Sequence, residues 1–390
     1  MLNRLWSHAA LGTLVFAAAV VSFVGGTPEQ AGTAVEPWID TSNRDAVAIA
    51  YAEEFSRPTP EMAWTGDYDG CDPGSSSHEL ALATVRRVNY YRAMAGVPTG
   101  VTLNREYSTN AQHGALSMSA TGRLSHTPDE SFACLSETAI LAAANSNLYL
   151  GRTGPSAIDG YIQDPGDRNR DVGHRNTILH PPTTEIGVGH VAGNEESYPA
   201  NALWVFDDGV FDDNPPLREA DGFVAWPPRG YVPAELVHPR WSFGLAGANF
   251  DNATVTMTTG GRTIDLTVVA RLSQQGYVPA PILVWEPEAG SGSGDTASAN
   301  GVTEDGAAAG EGTGNGAVLT AAVDDIDYDI VVAGVVVDGA EVSFSYTVTV
   351  LGSGDRDDRF DLPIDPVQLA FRATGEAVRD LTLLARSTAD

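Results

Sequence analysis

The sequence contains no lysine: all of its 22 basic residues are arginine, and they stand against 51 acidic residues. The formal net charge of −29 argues against a nucleic-acid partner and against an anionic membrane surface, because both would repel the chain. We assign the absence of lysine itself to coding bias or a saline habitat, not to a mechanism. The sequence also lacks a Gly-x-Ser-x-Gly motif, a calcium loop of the EF-hand type and any repeat of fixed period.

The N-terminus, residues 1–34, is predicted to be a signal peptide. Arg4 supplies a basic flank, an apolar run covers Ala9–Gly26, and small residues that precede cleavage sites follow. The competing interpretation is an uncleaved helix, because the apolar run is near the minimum length for a membrane span. We therefore expect an extracellular protein without a stable span after cleavage; the alternative is N-terminal anchoring to the cell envelope.

Cysteine is scarce: the chain has only Cys71 and Cys134. Neither closely follows the apolar run, which argues against lipid anchoring through an N-terminal cysteine. In an exported chain an even pair favours a disulfide. Closing a loop of about 60 residues would contribute roughly 4 kcal/mol to stability in the chain-entropy model. The alternative is a pair of buried free thiols.

The length of 390 residues predicts two or three domains. Composition and patterning divide the mature chain into five segments: an irregular N-terminal arm at 35–75, a helix-rich domain at 76–212, a small β-sandwich-like module at 213–285, an acidic Gly/Ala/Ser linker at 286–317, and a C-terminal β domain at 318–390. The linker is too poor in apolar residues to offset the entropy of ordering. The last domain is expected to pack separately.

Residues 76–212 combine helical and strand patterns, which predicts an α+β domain. Ser76 and Glu79 form a capping box at the start of the first helix, and Asn104 caps a second helix that ends at Gly122. Further elements are predicted as a short helix at Asp45–Phe55, a helix at Pro155–Gln163, and strands at Glu185–Val191 and Ala202–Phe206.

The segments after residue 212 are predicted to form β structure. Turn residues at Gly260-Gly261 and Asp338-Gly339 predict two hairpins. The strands are expected at Thr254–Thr258, Thr263–Ala270, Ile282–Trp285, Val331–Val337 and Val342–Leu351. Four aromatic residues are candidates for a β core: Trp226, Trp241, Phe243 and Trp285.

Six short motifs follow one another through the helix-rich domain: Val88-Asn89-Tyr90-Tyr91-Arg92, Ala111-Gln112-His113-Gly114-Ala115, Leu124-Ser125-His126, Ser146-Asn147-Leu148, Gly173-His174-Arg175 and Gly187-Val188-Gly189. Their order and spacing resemble the CAP superfamily (cysteine-rich secretory, antigen 5 and pathogenesis-related proteins), in its bacterial extracellular branch. The resemblance implies an α-β-α sandwich over about 76–212. It also implies a cleft lined by two histidines and two acidic residues.

Carried over by motif, the histidines of that cleft are His126 and His174. Neutral imidazoles from two segments are suited to holding zinc or another divalent cation. One acid falls on Asp164, where many members of the family have the longer glutamate. The other acid position is occupied by Ser146, and Glu137 substitutes only if its loop folds back. The implied cluster is therefore incomplete.

Other polar residues of the domain receive structural assignments. His113 lies in the middle of a helix, and His180 and His190, which match no partner pattern, are assigned to the surface. Arg175 is expected to pair with a nearby acid, and not to clamp a substrate. The candidate acids are Asp164, Asp167 and Asp171.

The resemblance implies non-enzymatic recognition of an extracellular protein, a lipid or another hydrophobic ligand, with a divalent metal as a candidate cofactor. The β modules would then serve display or attachment. Two alternatives stay open. One is a secreted hydrolase, metal- or serine-dependent, that uses the same cleft. The other is a structural envelope protein with a vestigial cleft.

Overall fold

The computed structural model describes residues 39–209, 217, 222–272, 280–288 and 324–352, all within one compact unit. The predicted signal peptide and most of the predicted linker lie outside these residues. Within the described part of the chain, no helix has the length and apolar character needed to cross a membrane.

In these residues the α-helices, in chain order, are α1 (Arg44–Ala50), α2 (His78–Ala95), α3 (Arg105–Thr121), α4 (Glu137–Asn145), α5 (Pro155–Gln163) and α6 (Gly173–Ile178). The strands are β1 (Thr102–Leu103), β2 (Ser146–Leu150), β3 (Glu185–Val191), β4 (Ala200–Trp204), β5 (Phe223–Trp226), β6 (Gly230–Pro233), β7 (Trp241–Leu245), β8 (Ala248–Asn249), β9 (Thr254–Thr259), β10 (Arg262–Ile264), β11 (Leu266–Leu272), β12 (Ile282–Pro287), β13 (Ile326–Val337) and β14 (Ala340–Leu351).

The first four strands form a sheet in the order β1-β3-β4-β2, with helices on both faces. Alternation along β4 and just beyond it assigns the faces, because successive side chains of a strand point to opposite sides. Ala202 and Trp204 pack in the core with α3 and α4, whereas Leu203 and Val205 pack in the core with α2 and α5. The α-β-α sandwich implied by the resemblance is confirmed.

The motif Gly187-Val188-Gly189 lets α3 approach the backbone of β3. A Cβ on Gly189 would lie 2.3 Å from the carbonyl carbon of Ala111, so a side chain there would push the helix away. At this distance the side chain of Gln112 forms the two hydrogen bonds that a neighbouring strand would otherwise form. It accepts from the backbone N–H of His190 and donates to the carbonyl of His190. The glycines and the glutamine of two separate motifs therefore serve one contact.

The predicted helices are largely confirmed, with one shift and one omission. Asn104 caps α3 by accepting from the N–H of Tyr107, and α5 has the predicted bounds. The cap of α2 is Ser77, which accepts from the N–H of Leu80, so the predicted capping box at Ser76 is wrong by one residue. The helix α4 was not predicted from the sequence.

The remaining strands form two sheets, β10-β9-β13-β14-β6 with β8 beside β13, and β11-β12-β7-β5. The hairpin β13–β14 lies inside the first sheet, because β13 pairs with β9 and β14 pairs in parallel with β6. In its described part, residues 324–352, the predicted C-terminal domain therefore does not pack separately, and the rest of it lies outside the described residues. The physical reason is that the apolar face of this hairpin packs against the second sheet, where Phe344 and Tyr346 contact Phe243.

The β-sandwich shares its core with the helical domain. Tyr91 of α2 lies with its ring centroid 5.1 Å from that of Trp226, in one continuous cluster of buried residues. The N-terminal arm adds a second connection, because Arg44 of α1 forms a two-bond ion pair with Asp325 beside β13. The predicted short helix of the arm is confirmed as α1 followed by a π-helical turn at Tyr51–Phe55.

The two cysteines form the predicted disulfide. Cys71 and Cys134 are bonded with their Cα atoms 5.2 Å apart, and 63 positions separate them in the sequence. Cys134 lies in the connection between α3 and α4 that also contains His126. The disulfide therefore attaches this connection to the N-terminal arm.

His180 and His190, which the sequence analysis assigned to the surface, are both buried. The Nδ1 atom of His190 accepts from the N–H of Gly154 and the side-chain amide of Asn201. Its Nε2–H is therefore the donor to the hydroxyl of Thr84, at 3.1 Å. This ring is held neutral by three partners, which come from three different parts of the chain.

We expect the protein to lose stability in acid through His190. Burial lowers the pKa of His190 from 6.5 to about 3, so below pH 6.5 the unfolded chain takes up a proton that the folded chain refuses. The stabilisation is complete above pH 6.5 and falls by about 1.4 kcal/mol per pH unit towards pH 3. Burial likewise lowers the pKa of His238 to about 3. Denaturant titrations between pH 7 and 4 measure the slope.

The variant His190→Asn removes one titrating group and is expected to show a shallower slope than the wild type over the same pH range. Equal slopes in the two proteins would contradict the assignment of the acid sensitivity to His190.

Candidate functional site

His126 lies in the connection between α3 and α4, four residues after the left-handed Gly122 that ends α3. Its side chain is exposed, but Nδ1 lies 2.8 Å from the carbonyl oxygen of Ala143 in α4. A carbonyl oxygen only accepts hydrogen bonds, so Nδ1 carries the proton. In the neutral ring Nε2 therefore keeps its lone pair.

His174 lies in the first turn of α6 and is held by Asp164. The carboxylate accepts twice, from the ring Nδ1–H at 2.7 Å and from the backbone N–H of His174 at 3.0 Å. Asp164 is 1% exposed, so its carboxylate is shielded from competing water, whereas the His174 side chain is 22% exposed. As in His126, the neutral ring of His174 leaves the lone pair on Nε2.

The two imidazoles meet at the edge strand β2, and their ring centroids are 6.5 Å apart. His126 comes from the side of α4, and the backbone of His174 is attached to β2 by the side-chain amide of Asn147 at 3.2 Å. The ring of Tyr161 lies 5.3 Å from that of His174, and its hydroxyl donates to Asn201 at 2.7 Å. The structure thus brings the rings of His126 and His174 close together, as the sequence predicted.

Ser146, at the position where the resemblance implies an acid, begins β2. Its hydroxyl is buried and has no hydrogen-bond partner in the described structure. Glu137 does not replace the missing acid. It is exposed in the first turn of α4, about 9 Å along the helix axis from Ala143, the residue that holds His126.

The cleft therefore offers two imidazole donors to a metal. Within the described residues, no group of three His, Cys, Asp or Glu side chains is arranged to hold a metal ion. Asp164 uses its carboxylate to orient His174, which is the usual role of a carboxylate behind a metal-binding histidine. A divalent ion at this place would be held by Nε2 of His126 and Nε2 of His174, and its other positions would be filled by water or a ligand.

Arg175 does not pair with any of the three acids considered for it. It is fully buried and donates to the carbonyl oxygens of Ile162 at 2.7 Å and Arg240 at 2.9 Å. It also donates to the hydroxyl of Ser242 at 3.0 Å. Burial lowers the pKa of Arg175 to about 10, although the charge of Asp164 acts in the opposite direction. Arg175 thus attaches α6 to β7 and is not aimed at the cleft.

The comparison with known families agrees with the geometry. Residues 85–207 match the model of the cysteine-rich secretory protein family, CAP. His126, Asp164 and His174 all lie inside the matched segment. No curated protein matches the chain.

Proposed function

Because this chain belongs to the CAP family through its domain at residues 85–207, we propose that it is an exported recognition protein whose cleft binds a divalent cation. Zinc is the first candidate, held by Nε2 of His126 and Nε2 of His174. Zinc with open coordination positions would attract a carboxylate or carbonyl oxygen of a ligand. The partner class is an extracellular protein, or a lipid or another hydrophobic ligand.

One observation carries the proposal. Both rings use Nδ1 for a hydrogen bond to a fixed acceptor, Ala143 or Asp164, and both leave Nε2 available at the same cleft. A buried carboxylate behind one imidazole fixes the ring orientation in advance, which lowers the cost of ordering a ligand. Export is supported by the disulfide, since disulfides persist in oxidising compartments.

Zinc titration of the full chain by calorimetry tests the proposal. We expect saturable binding to one site in the wild type, at least about tenfold weaker in His126→Ala and in His174→Ala, and undetectable in the double variant. His78→Ala is the matched control, because His78 is exposed at the start of α2. Binding that is unchanged in the double variant would contradict a site at this cleft.

A second candidate is a hydrolase, favoured by the Asp164–His174 hydrogen bond, which is the base-and-orienter pair of a catalytic triad. Ser146, buried at the start of β2 beside the Asn147 contact with His174, would be the nucleophile. We expect a fluorophosphonate probe to leave the wild type unlabelled. Covalent labelling that disappears in Ser146→Ala and in His174→Ala would instead establish the hydrolase.

A further inference from the structure

The segment from Asp164 to Val172 joins α5 to α6 and so connects the residue that orients His174 with the start of the helix that carries it. Both ends of the segment have left-handed backbone, with φ of +51° at Asp164 and +46° at Val172. Positive φ is unfavourable for a β-branched residue such as valine. This conformation therefore needs support from outside the segment.

The support comes from the β-sandwich. Arg240, the residue before β7, donates from Nη1 to the carbonyl oxygens of Asp164 at 2.9 Å, Gly166 at 2.8 Å and Asn169 at 2.9 Å. Its Nε donates to Glu286 of β12 at 2.7 Å. The guanidinium thus contacts the segment at three points while the second sheet fixes its orientation.

Two further contacts hold the end of the segment against the same sheet. Val172 is buried in a small apolar cluster with Ile282 and Val284 of β12. The side-chain amide of Asn176 in α6 donates to the carbonyl of Ala280 at 2.9 Å. Together with the Arg175 contact to the Arg240 carbonyl, these contacts place α6 on the β-sandwich and not only on its own domain.

We infer that Arg240 is a positioning residue for the cleft, and that the β-sandwich is part of the site and not a display or attachment module. Arg240 touches neither imidazole. It acts by holding the backbone of Asp164 where the carboxylate meets Nδ1 of His174. The consequence for zinc affinity rests on the proposed function, whereas the consequence for the Asp164–His174 hydrogen bond does not.

The test measures both consequences in the full chain. Proton–nitrogen spectra of histidine-labelled protein report the Nδ1–H of His174, which is protected by Asp164 at 2.7 Å. We expect this signal to be lost through solvent exchange in Arg240→Ala. The Nε2–H of the buried His190, which donates to Thr84, is the internal reference and should stay. Zinc affinity should fall about tenfold, within the range known for residues behind metal ligands.

Arg271→Ala is the matched control. Arg271 also donates to a backbone carbonyl, that of Ala253, at 3.0 and 3.3 Å, but this contact lies wholly within the β-sandwich. The His174 signal and the zinc affinity should stay unchanged in this variant. Arg240→Lys, which cannot contact Glu286 and three carbonyls together, is expected to give an intermediate result.

The possible results separate the two claims. If the wild type binds no zinc, the proposed function fails, and the His174 signal still decides whether Arg240 positions the ring. If folded Arg240→Ala keeps both the His174 signal and the wild-type zinc affinity, the inference is overturned. Should Arg240→Ala fail to fold, Glu286→Ala takes its place. It leaves Arg240 present but unoriented, and an unchanged His174 signal would overturn the inference equally.

Discussion

Replacing Val332 by asparagine is expected to destabilise the helical domain and the β-sandwich together. Val332 is fully buried in β13, where it is paired with Val255 of β9 and Phe344 of β14 inside the core shared with the helical domain. The asparagine side chain would lose its hydrogen bonds to water there, and the apolar core would offer it no hydrogen-bond partner. We expect a loss of at least about 3 kcal/mol, a large share of the 5–15 kcal/mol that stabilises a typical domain.

The neighbouring Val331 provides the control. It lies on the opposite face of the same strand and is 38% exposed, so Val331→Asn should change stability by less than about 1 kcal/mol. Denaturant titrations are followed by helical circular dichroism, which reports the CAP domain, and by tryptophan fluorescence. In Val332→Asn both transitions should shift together. An unchanged helical transition would mean that the β-hairpin is a separate domain after all.

Removing the disulfide is expected to have the other large effect. Cys71 and Cys134 close a loop with a sequence separation of 63, for which the chain-entropy model gives about 4 kcal/mol. The double variant Cys71→Ser/Cys134→Ser should lose this amount in denaturant titrations. Stability falls mainly because the unfolded chain, without the disulfide, can adopt more conformations.

Reduction provides the control for the double serine variant. Wild type in dithiothreitol should fall to the stability of the variant, and the variant itself should not respond to dithiothreitol. A wild type that keeps its stability when reduced would show that the bond adds little to the folded state.

The sequence was most informative where a signal is local. Asn104 marks a helix start by capping, Pro155 marks one as a proline in the first turn, and the alternation of Val342–Leu351 marks a strand. The motif order also located His126 and His174, because the resemblance already contains the fold that brings them together. The disulfide could be predicted because an even pair of cysteines favours a disulfide in a chain that is expected to be exported.

What could not be predicted depends on partners that are distant in the sequence. His190 is buried because Thr84 and Asn201 are placed around it by the fold. Arg175 finds two of its acceptors, Arg240 and Ser242, more than sixty positions later at the start of β7, and none among the adjacent acids. The predicted strand Thr263–Ala270 is divided between two sheets, since β10 pairs with β9 and β11 pairs with β12. No local sequence pattern predicts contacts between residues that are so far apart in the chain.

The domain boundaries decide which part of the chain an experiment on the cleft must contain. The 213–285 module and the hairpin at 324–352 contribute strands to one sheet, and Arg240 connects that sandwich to the segment that carries Asp164. A fragment that ends at residue 285 would lack β13 and β14, and with them the burial of the second sheet. Experiments on the cleft therefore require the full chain.

The most direct measurement is a crystal structure of the full chain grown with equimolar zinc, with anomalous scattering recorded on both sides of the zinc absorption edge. We predict one zinc peak between Nε2 of His126 and Nε2 of His174, with Asp164 still bound to Nδ1 of His174. A map in which both Nε2 atoms lack a metal while zinc occupies another site would contradict this prediction.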